Sequence, residues 1–261
     1  MYYMEHLKEV AGYGDMIKSL VKRELRGKYK GSVLGFLWTF INPLCQIIVY
    51  TIVFSVIVRN DLQQFYVYMI TGMIPWIFFD MSLRLGSGCV RYQGDLLKKI
   101  YFPREVLPIS TVTANFINML LCFIIVFAVI LFSGRGFNPV ALICLPMVMM
   151  IEYCITLGFV LILSAGTVYF KDLEHITTVL LMAWIYGAPI LYPISMIPDK
   201  IIWIFKLNPM TAVIESFHDI LYWGNLPSWK YMAYAAVWGI GMLVIGELIF
   251  NKLSDRFAEE L

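Results

Sequence analysis

The sequence predicts an all-α fold: a polytopic membrane protein with six transmembrane helices, an N-terminal amphipathic interfacial helix, and a re-entrant external helix pair between spans 5 and 6. Three observations lead there. Hydrophobic residues make up 60% of the 261 positions and charged residues 15%, whereas soluble domains average about 45–50% apolar and about 25% charged. The apolar residues gather into six long blocks, at 34–58, 65–83, 106–132, 139–168, 176–194 and 231–250. Finally, these blocks are continuous runs of helix length, without the short alternating segments that a membrane barrel requires.

A helix crosses a hydrocarbon core of about 30 Å in about 20 residues. The second block therefore barely spans, while the fourth must tilt or break, and Pro139 and Pro146 place the break near its start. Residues 1–33 read as a cytoplasmic N-terminal segment, 34–250 as the six-span domain and 251–261 as a cytoplasmic tail. No secretory leader is expected, because the first 31 residues are polar and basic without an apolar core. With the N-terminus inside, 15 Lys and Arg fall in cytoplasmic segments. Only Arg59, Arg135, Lys200 and Lys206 fall outside, and Lys230 lies at a boundary. This bias predicts that both termini are cytoplasmic in a multi-pass protein of the plasma membrane.

Residues 15–30 predict an amphipathic helix lying in the membrane interface. Ile17, Val21 and Leu25 recur at i, i+4, and Leu20 widens the stripe. Lys18, Lys22, Arg23 and Arg26 take the other faces, and Asp15 is placed to cap the first turn. The pattern fits either a moving element among anionic headgroups or a fixed positive-inside anchor. After the second span, 86–110 carries a short helix capped by Asp95 and ended by Pro103. Apolar and basic side chains share that helix, which suits docking into a groove on a partner protein as well as an ordinary basic loop at the headgroups. The stretch 192–229 is too apolar to float in water. Two short amphipathic pieces, 200–207 and 211–222, meet at the turn signal Asn208-Pro209, which predicts half-helices dipping into the outer leaflet.

Several polar groups sit inside the blocks. Asn42 and Gln46 interrupt the first, Asn115 and Asn118 the third, and Glu152 lies in the fourth. Asp80 and Arg84 stand at i, i+4 near the end of the second and can pair with each other. Glu152 has no basic residue in its own span, so it faces either a wet cavity or a group on a neighbouring helix. Aromatic residues reach 16%. Trp and Tyr commonly form interfacial belts, and their faces also stack on sugar rings. Composition leaves both readings open. The five cysteines show no metal or CxxC spacing, and four lie in apolar blocks as small hydrophobes.

Five ordered pieces carry a resemblance to a known family: ELRGKYKGSVLGFLWTFINPL (24–44), FPREVLPIS (102–110), YFKDLEHI (169–176), APILYP (188–193) and LNPMTAVIESF (207–217). Together they resemble the permease subunits of type-2 ABC exporters, in the branch that exports polysaccharide, O-antigen and teichoic acid. The resemblance implies a homodimer in which each copy binds a separate nucleotide-binding ATPase subunit, with ATP and Mg held by that partner. Consistent with this, the chain has no G-x-x-x-x-G-K-[ST] phosphate loop.

The resemblance also implies a coupling helix near 94–102 that touches the ATPase through Asp95, Leu96, Leu97, Lys98, Lys99, Ile100 and Phe102. An inner gate helix would use Ile17, Leu20, Val21, Arg23 and Leu25, and an outer gate near 198–224 would use Trp203, Asn208, Pro209 and Glu215. A channel along spans 1, 2 and 5 would be lined by Trp38, Phe40, Trp76, Tyr186 and Tyr192. Its implied substrate is a lipid-linked cell-surface glycan, with membrane lipids around it. A multidrug or small-lipid exporter of the wider group is the alternative. A membrane-embedded glycosyl or prenyl transferase fits less well, because no DxxD motif occurs and His6, His175 and His218 lie in separate segments. A net charge of +2 gives no support to a nucleic-acid partner.

Overall fold

The computed structural model describes residues 10, 12–27, 31–57, 62–254 and 257. The described residues are helical with short turns, and no strand occurs among them. Helix α1 is Gly14–Gly27. It turns Leu20 and Val21 inward and leaves Lys18, Lys22, Arg23 and Arg26 exposed. Asp15 lies inside its first turn and pairs with Lys18 at 2.9 Å, in place of the expected cap. Residues 28–30 of the predicted helix fall outside the described residues.

Among the described residues, five helices are long and apolar enough to cross a membrane: Gly35–Ser55, Phe65–Ser87, Val106–Phe132, Pro139–Tyr169 and Trp229–Ser254. The first comprises a 3-10 turn at Gly35–Leu37, helix α2 at Trp38–Ile52 and a π turn from Val53. Helix α3, Phe65–Ser87, is the least apolar of the five and the most buried. Protein rather than lipid surrounds it, so a long apolar surface is unnecessary. It also runs four residues past the predicted block, which removes the concern that it barely spans. Next come the short helix α4 at Gly94–Lys99 and the long helix α5 at Val106–Phe132.

The fourth span breaks where its prolines predict. A turn of helix at Pro139–Leu142 (α6) is capped by Asn138, which accepts from the Val140 amide at 3.1 Å. Helix α7, Leu145–Tyr169, restarts with Pro146 in its first turn, where the missing N–H has no partner to lose.

The predicted fifth span, 176–194, is not one continuous helix. Helix α8, Leu173–Trp184, has 12 residues, about 18 Å at the usual rise. A 3-10 turn follows at Ile185–Gly187, and the backbone is extended by Ala188. Pro189 and Pro193 have no amide hydrogen to donate, and side chains take over the carbonyls left free. The Asn208 Nδ2 donates to Gly187 O at 2.8 Å, and the Tyr68 hydroxyl donates to Pro189 O at 2.9 Å and Tyr192 O at 3.3 Å. The free carbonyls of this non-helical stretch are thereby satisfied within the protein.

Beyond it, α9 (Ile202–Leu207) and α10 (Pro209–His218) meet at Asn208-Pro209 as predicted. Asn208 caps α10 by accepting from Met210 N at 3.0 Å. A π turn, Asp219–Trp223, closes the hairpin, and α11 is Trp229–Ser254.

The element ends gather at two poles. At the first, the Tyr169 hydroxyl donates to Leu253 O at 2.7 Å, and Phe257 packs on Phe250 and Tyr169. Arg104 lies over the Phe257 ring at 5.5 Å. Leu20, Val90, Phe102, Leu107, Val168 and Phe250 share one small apolar cluster there. At the second pole, Gln64 donates to Ser133 O at 2.9 Å, Arg135 to Gln63 O and Tyr222 O at 2.9 Å each, and Asn138 to Gly224 O at 2.8 Å. Segment 173–192 leaves the first pole and comes within one helical turn of the second, where Tyr68 binds it.

Helices α7 and α11 are the tightest pair. A Cβ on Gly246 would lie 2.5 Å from Gly158 O, and one on Gly158 would lie 2.4 Å from the Met242 backbone. Only glycine permits that crossing, the close approach of backbones that lets helices associate in lipid.

Candidate functional site

A cavity of about 970 Å³ lies among α2, α3, α5 and α8, open along the exposed face of α2. Three of the five predicted lining aromatics face it: Trp38, Trp76 and Tyr186. The other two stand outside its wall. Phe40 packs edge-on against Phe36 at 5.5 Å between ring centroids. Tyr192 donates its hydroxyl to the Tyr186 carbonyl and packs against Phe205. Trp76 is held from behind by Phe79, which also packs edge-on against Trp184 and Phe159.

The wall is as polar as it is aromatic. On α2, Thr39, Asn42 and Gln46 follow one another at i, i+3, i+7, and on α5 Asn115 and Asn118 stand at i, i+3. Asp80 and Arg84 of α3 complete it, joined at 2.7 Å from Arg84 Nε to Asp80 Oδ2 as their spacing predicts. The amides were visible in the sequence as interruptions of apolar blocks. Their helical phasing toward one space was the signal that would have grouped them. Glu152 does not line this cavity. It is fully buried in α7, and neither carboxylate oxygen has a hydrogen-bond partner among the described residues.

At the first pole, α4 presents a short surface. Lys98, Lys99 and Ile100 are exposed, and so is Tyr101. Leu96 and Leu97 pack partly onto the small apolar cluster. Phe102, predicted as a contact for a partner, is instead buried at 3% exposure and anchors the loop in this chain's own cluster. The Asp95 side chain lies outside those described.

A polar network ties this loop to its neighbours. Arg91 pairs with Glu174 of α8 at 3.0 Å, and the Tyr92 hydroxyl donates to Glu174 Oε2 at 2.6 Å. That bond, made to a carboxylate, pushes the Tyr92 phenol above its ordinary pKa. Gly88 makes room: a Cβ there would lie 2.4 Å from the Tyr92 ring and 2.8 Å from Glu174 Oε1. Arg23 of α1 donates to Gln93, and Thr111 of α5 donates to Glu24 at 2.7 Å. Of the predicted gate residues on α1, Leu20 and Val21 are thus buried against the bundle, Ile17 and Leu25 are half-buried, and Arg23 reaches the loop.

At the second pole the hairpin is bound firmly. Trp203 is 59% exposed on α9, whereas Pro209 is buried and Asn208 bonds both Trp184 Nε1 and Gly187 O. His218 stacks on Tyr68 with centroids 3.8 Å apart and sits against Gly72, where a Cβ would approach its Nε2 to 2.7 Å. Glu215 lies 3.9 Å from His218 Nδ1. Arg135 covers the Tyr222 ring at 3.9 Å while its guanidinium also reaches Gln64 Oε1 at 2.6 Å. This clamp holds Gln64 in left-handed backbone, φ 54.

Comparison with known proteins accounts for nearly the whole chain. The sequence profile of the ABC-2 type transporter family matches residues 16–222. An O-antigen export system permease, RfbA of Myxococcus xanthus, is 36% identical over 98% of both chains. The protein of the same name from Klebsiella pneumoniae is 34% identical over 95% of both. The polysialic acid transport protein KpsM of Escherichia coli is 22% identical over 92% of this chain and 93% of its own.

Proposed function

The chain belongs to the ABC-2 type transporter family, and on that premise we propose that it is the permease subunit of an ATP-driven exporter. Its cargo is a cell-surface polysaccharide such as O-antigen, capsule or teichoic acid, carried on a lipid across the plasma membrane. The observation that carries this reading is the full-length similarity to O-antigen export permeases. The cavity supports it, because aromatic faces and amides together suit sugar rings and hydroxyls.

In this reading the chain crosses the membrane six times. The sixth crossing is the bent segment from α8 to Tyr192, since five crossings would put the shared ends of α1, α7 and α11 on opposite faces. The excess of basic residues in the segments at the first pole supports a cytoplasmic position for that pole and for both termini. Helix α1 lies in the cytoplasmic interface as an inner gate beside the cavity mouth. The α9–α10 hairpin is re-entrant and forms the outer gate. A second copy closes the open side of the cavity along α2.

ATP and Mg belong to the nucleotide-binding partner, because this chain has no phosphate loop. The partner docks on Lys98, Lys99, Ile100 and Tyr101. Motion of that surface reaches α8 through Glu174, and α8 carries Leu181 and Met182 at the cavity wall. Proteoliposomes containing this chain and its ATPase should move a lipid-linked polysaccharide on addition of ATP, and the purified chain alone should hydrolyse none. Hydrolysis by the chain alone, or polymer movement without ATP, refutes the proposal.

A further inference from the structure

We propose that the cavity is a binding site for uncharged sugar residues and that it discriminates against anionic ones. The inference rests on the export reading above and narrows its substrate class. Three features of the wall carry it. The first is the facing pair of polar stripes, Thr39, Asn42 and Gln46 on α2 against Asn115 and Asn118 on α5. Each carboxamide offers N–H donors and an acceptor oxygen, and each sugar hydroxyl offers one donor and an acceptor oxygen, so either partner can fill either role along a chain of hydroxyls.

The second is unmet hydrogen-bonding capacity. Thr39 is 5% exposed, and its hydroxyl has no partner among the described residues, nor has Asn118 Oδ1. Both atoms are closed off from water, and unpaired polar groups inside an apolar bundle are costly. Rotation of either side chain toward a hydroxylated ligand in the cavity would therefore gain a hydrogen bond that an acyl chain could not supply.

The third feature is charge. Among the described wall residues only Asp80 and Arg84 are charged, and they neutralise each other at 2.7 Å. A carboxylate or phosphate on the polymer would lose its water and find no unpaired cation in return. Rejection through an unpaired charge is stronger than attraction through one added contact. Trp38, Trp76 and Tyr186 add apolar faces for pyranose rings, and these faces are indifferent to which hydroxyls the amides hold.

The test uses the chain in complex with its ATPase, titrated calorimetrically with a neutral hexose oligosaccharide and with an oligosialic acid of equal length. The neutral probe should bind at least tenfold more tightly. Asn42→Leu and Asn118→Leu should each weaken it about fivefold, the ratio that one net hydrogen bond carries. Asp80→Asn, which releases Arg84, should bring the two probes closer together. Equal binding of the two probes, or tighter binding of the acidic one, overturns the proposal, and that comparison needs no variant. If neither probe binds while polymer export continues, this inference fails and the export function stands. If neither binds and no polymer moves, both fail.

Discussion

Glu174 joins the loop after α3, where we propose that the ATPase docks, to the helix that lines the cavity, so its removal should uncouple the two. Glu174→Gln keeps an acceptor for the Tyr92 hydroxyl, now 2.6 Å away, but loses the ion pair to Arg91. Charge-assisted hydrogen bonds contribute about 1.5–3 kcal/mol each when shielded. The two side chains here are 30% and 19% exposed, so water screens part of that and ~1–2 kcal/mol is a fair figure. A change of that size shifts a two-state coupling equilibrium about 5- to 30-fold.

The assay is polymer exported per ATP hydrolysed in proteoliposomes, with ATPase co-purification measured alongside. The ratio should fall at least about fivefold in Glu174→Gln while co-purification stays unchanged, and Glu174→Asp, which keeps the charge and an acceptor, should lower it less. The phenol of Tyr92, held high because its bond to the carboxylate favours the protonated form, should titrate lower in Glu174→Gln. Fluorotyrosine at position 92 would report that by NMR. An export ratio equal to wild type in Glu174→Gln would refute the coupling route.

Other expectations follow from single contacts. Gly246→Val would force a side chain to within 2.5 Å of Gly158 O; overpacking of this kind costs about 1–3 kcal/mol, so detergent-solubilised protein should melt several degrees lower, while Gly241→Val, in open space, should not. Ile100→Asp, at an exposed position on the loop proposed to meet the ATPase, should abolish ATPase co-purification without loss of membrane insertion; retained association would remove this loop from the interface. In a cysteine-free background, Met196→Cys should react with a membrane-impermeant maleimide in intact cells and Lys252→Cys only after permeabilisation. Labelling of both from one side would contradict the bent sixth crossing.

Much of the architecture was legible because lipid imposes simple demands. The breaks at Pro146 and at Asn208-Pro209, the Asp80–Arg84 pair and the basic faces of α1 and α4 all follow from local rules of backbone donors and helical spacing. Other features were not legible, because they depend on which distant residue arrives. The apolar block 176–194 reads as a span, yet its helix ends at Trp184 because Asn208 and Tyr68 supply the hydrogen bonds that an interrupted helix lacks. Phe102 reads as an exposed contact and is buried, because Leu20, Leu107 and Phe250 close over it. Of the five aromatics assigned to the channel, the bundle keeps Trp38, Trp76 and Tyr186 on the cavity.

The sequence by itself determined that this chain is helical, with apolar runs long enough to cross a membrane, and that its basic residues crowd into alternate segments between them. Those properties depend on composition and hydrophobic run length, both additive along the chain. Only the tertiary structure decided which polar groups share a cavity, which glycines allow α7 and α11 to touch, and how the loop after α3 is tied to α8. Each of these is a distance between residues far apart in the chain, and helical periodicity gives a residue's face but not what that face meets.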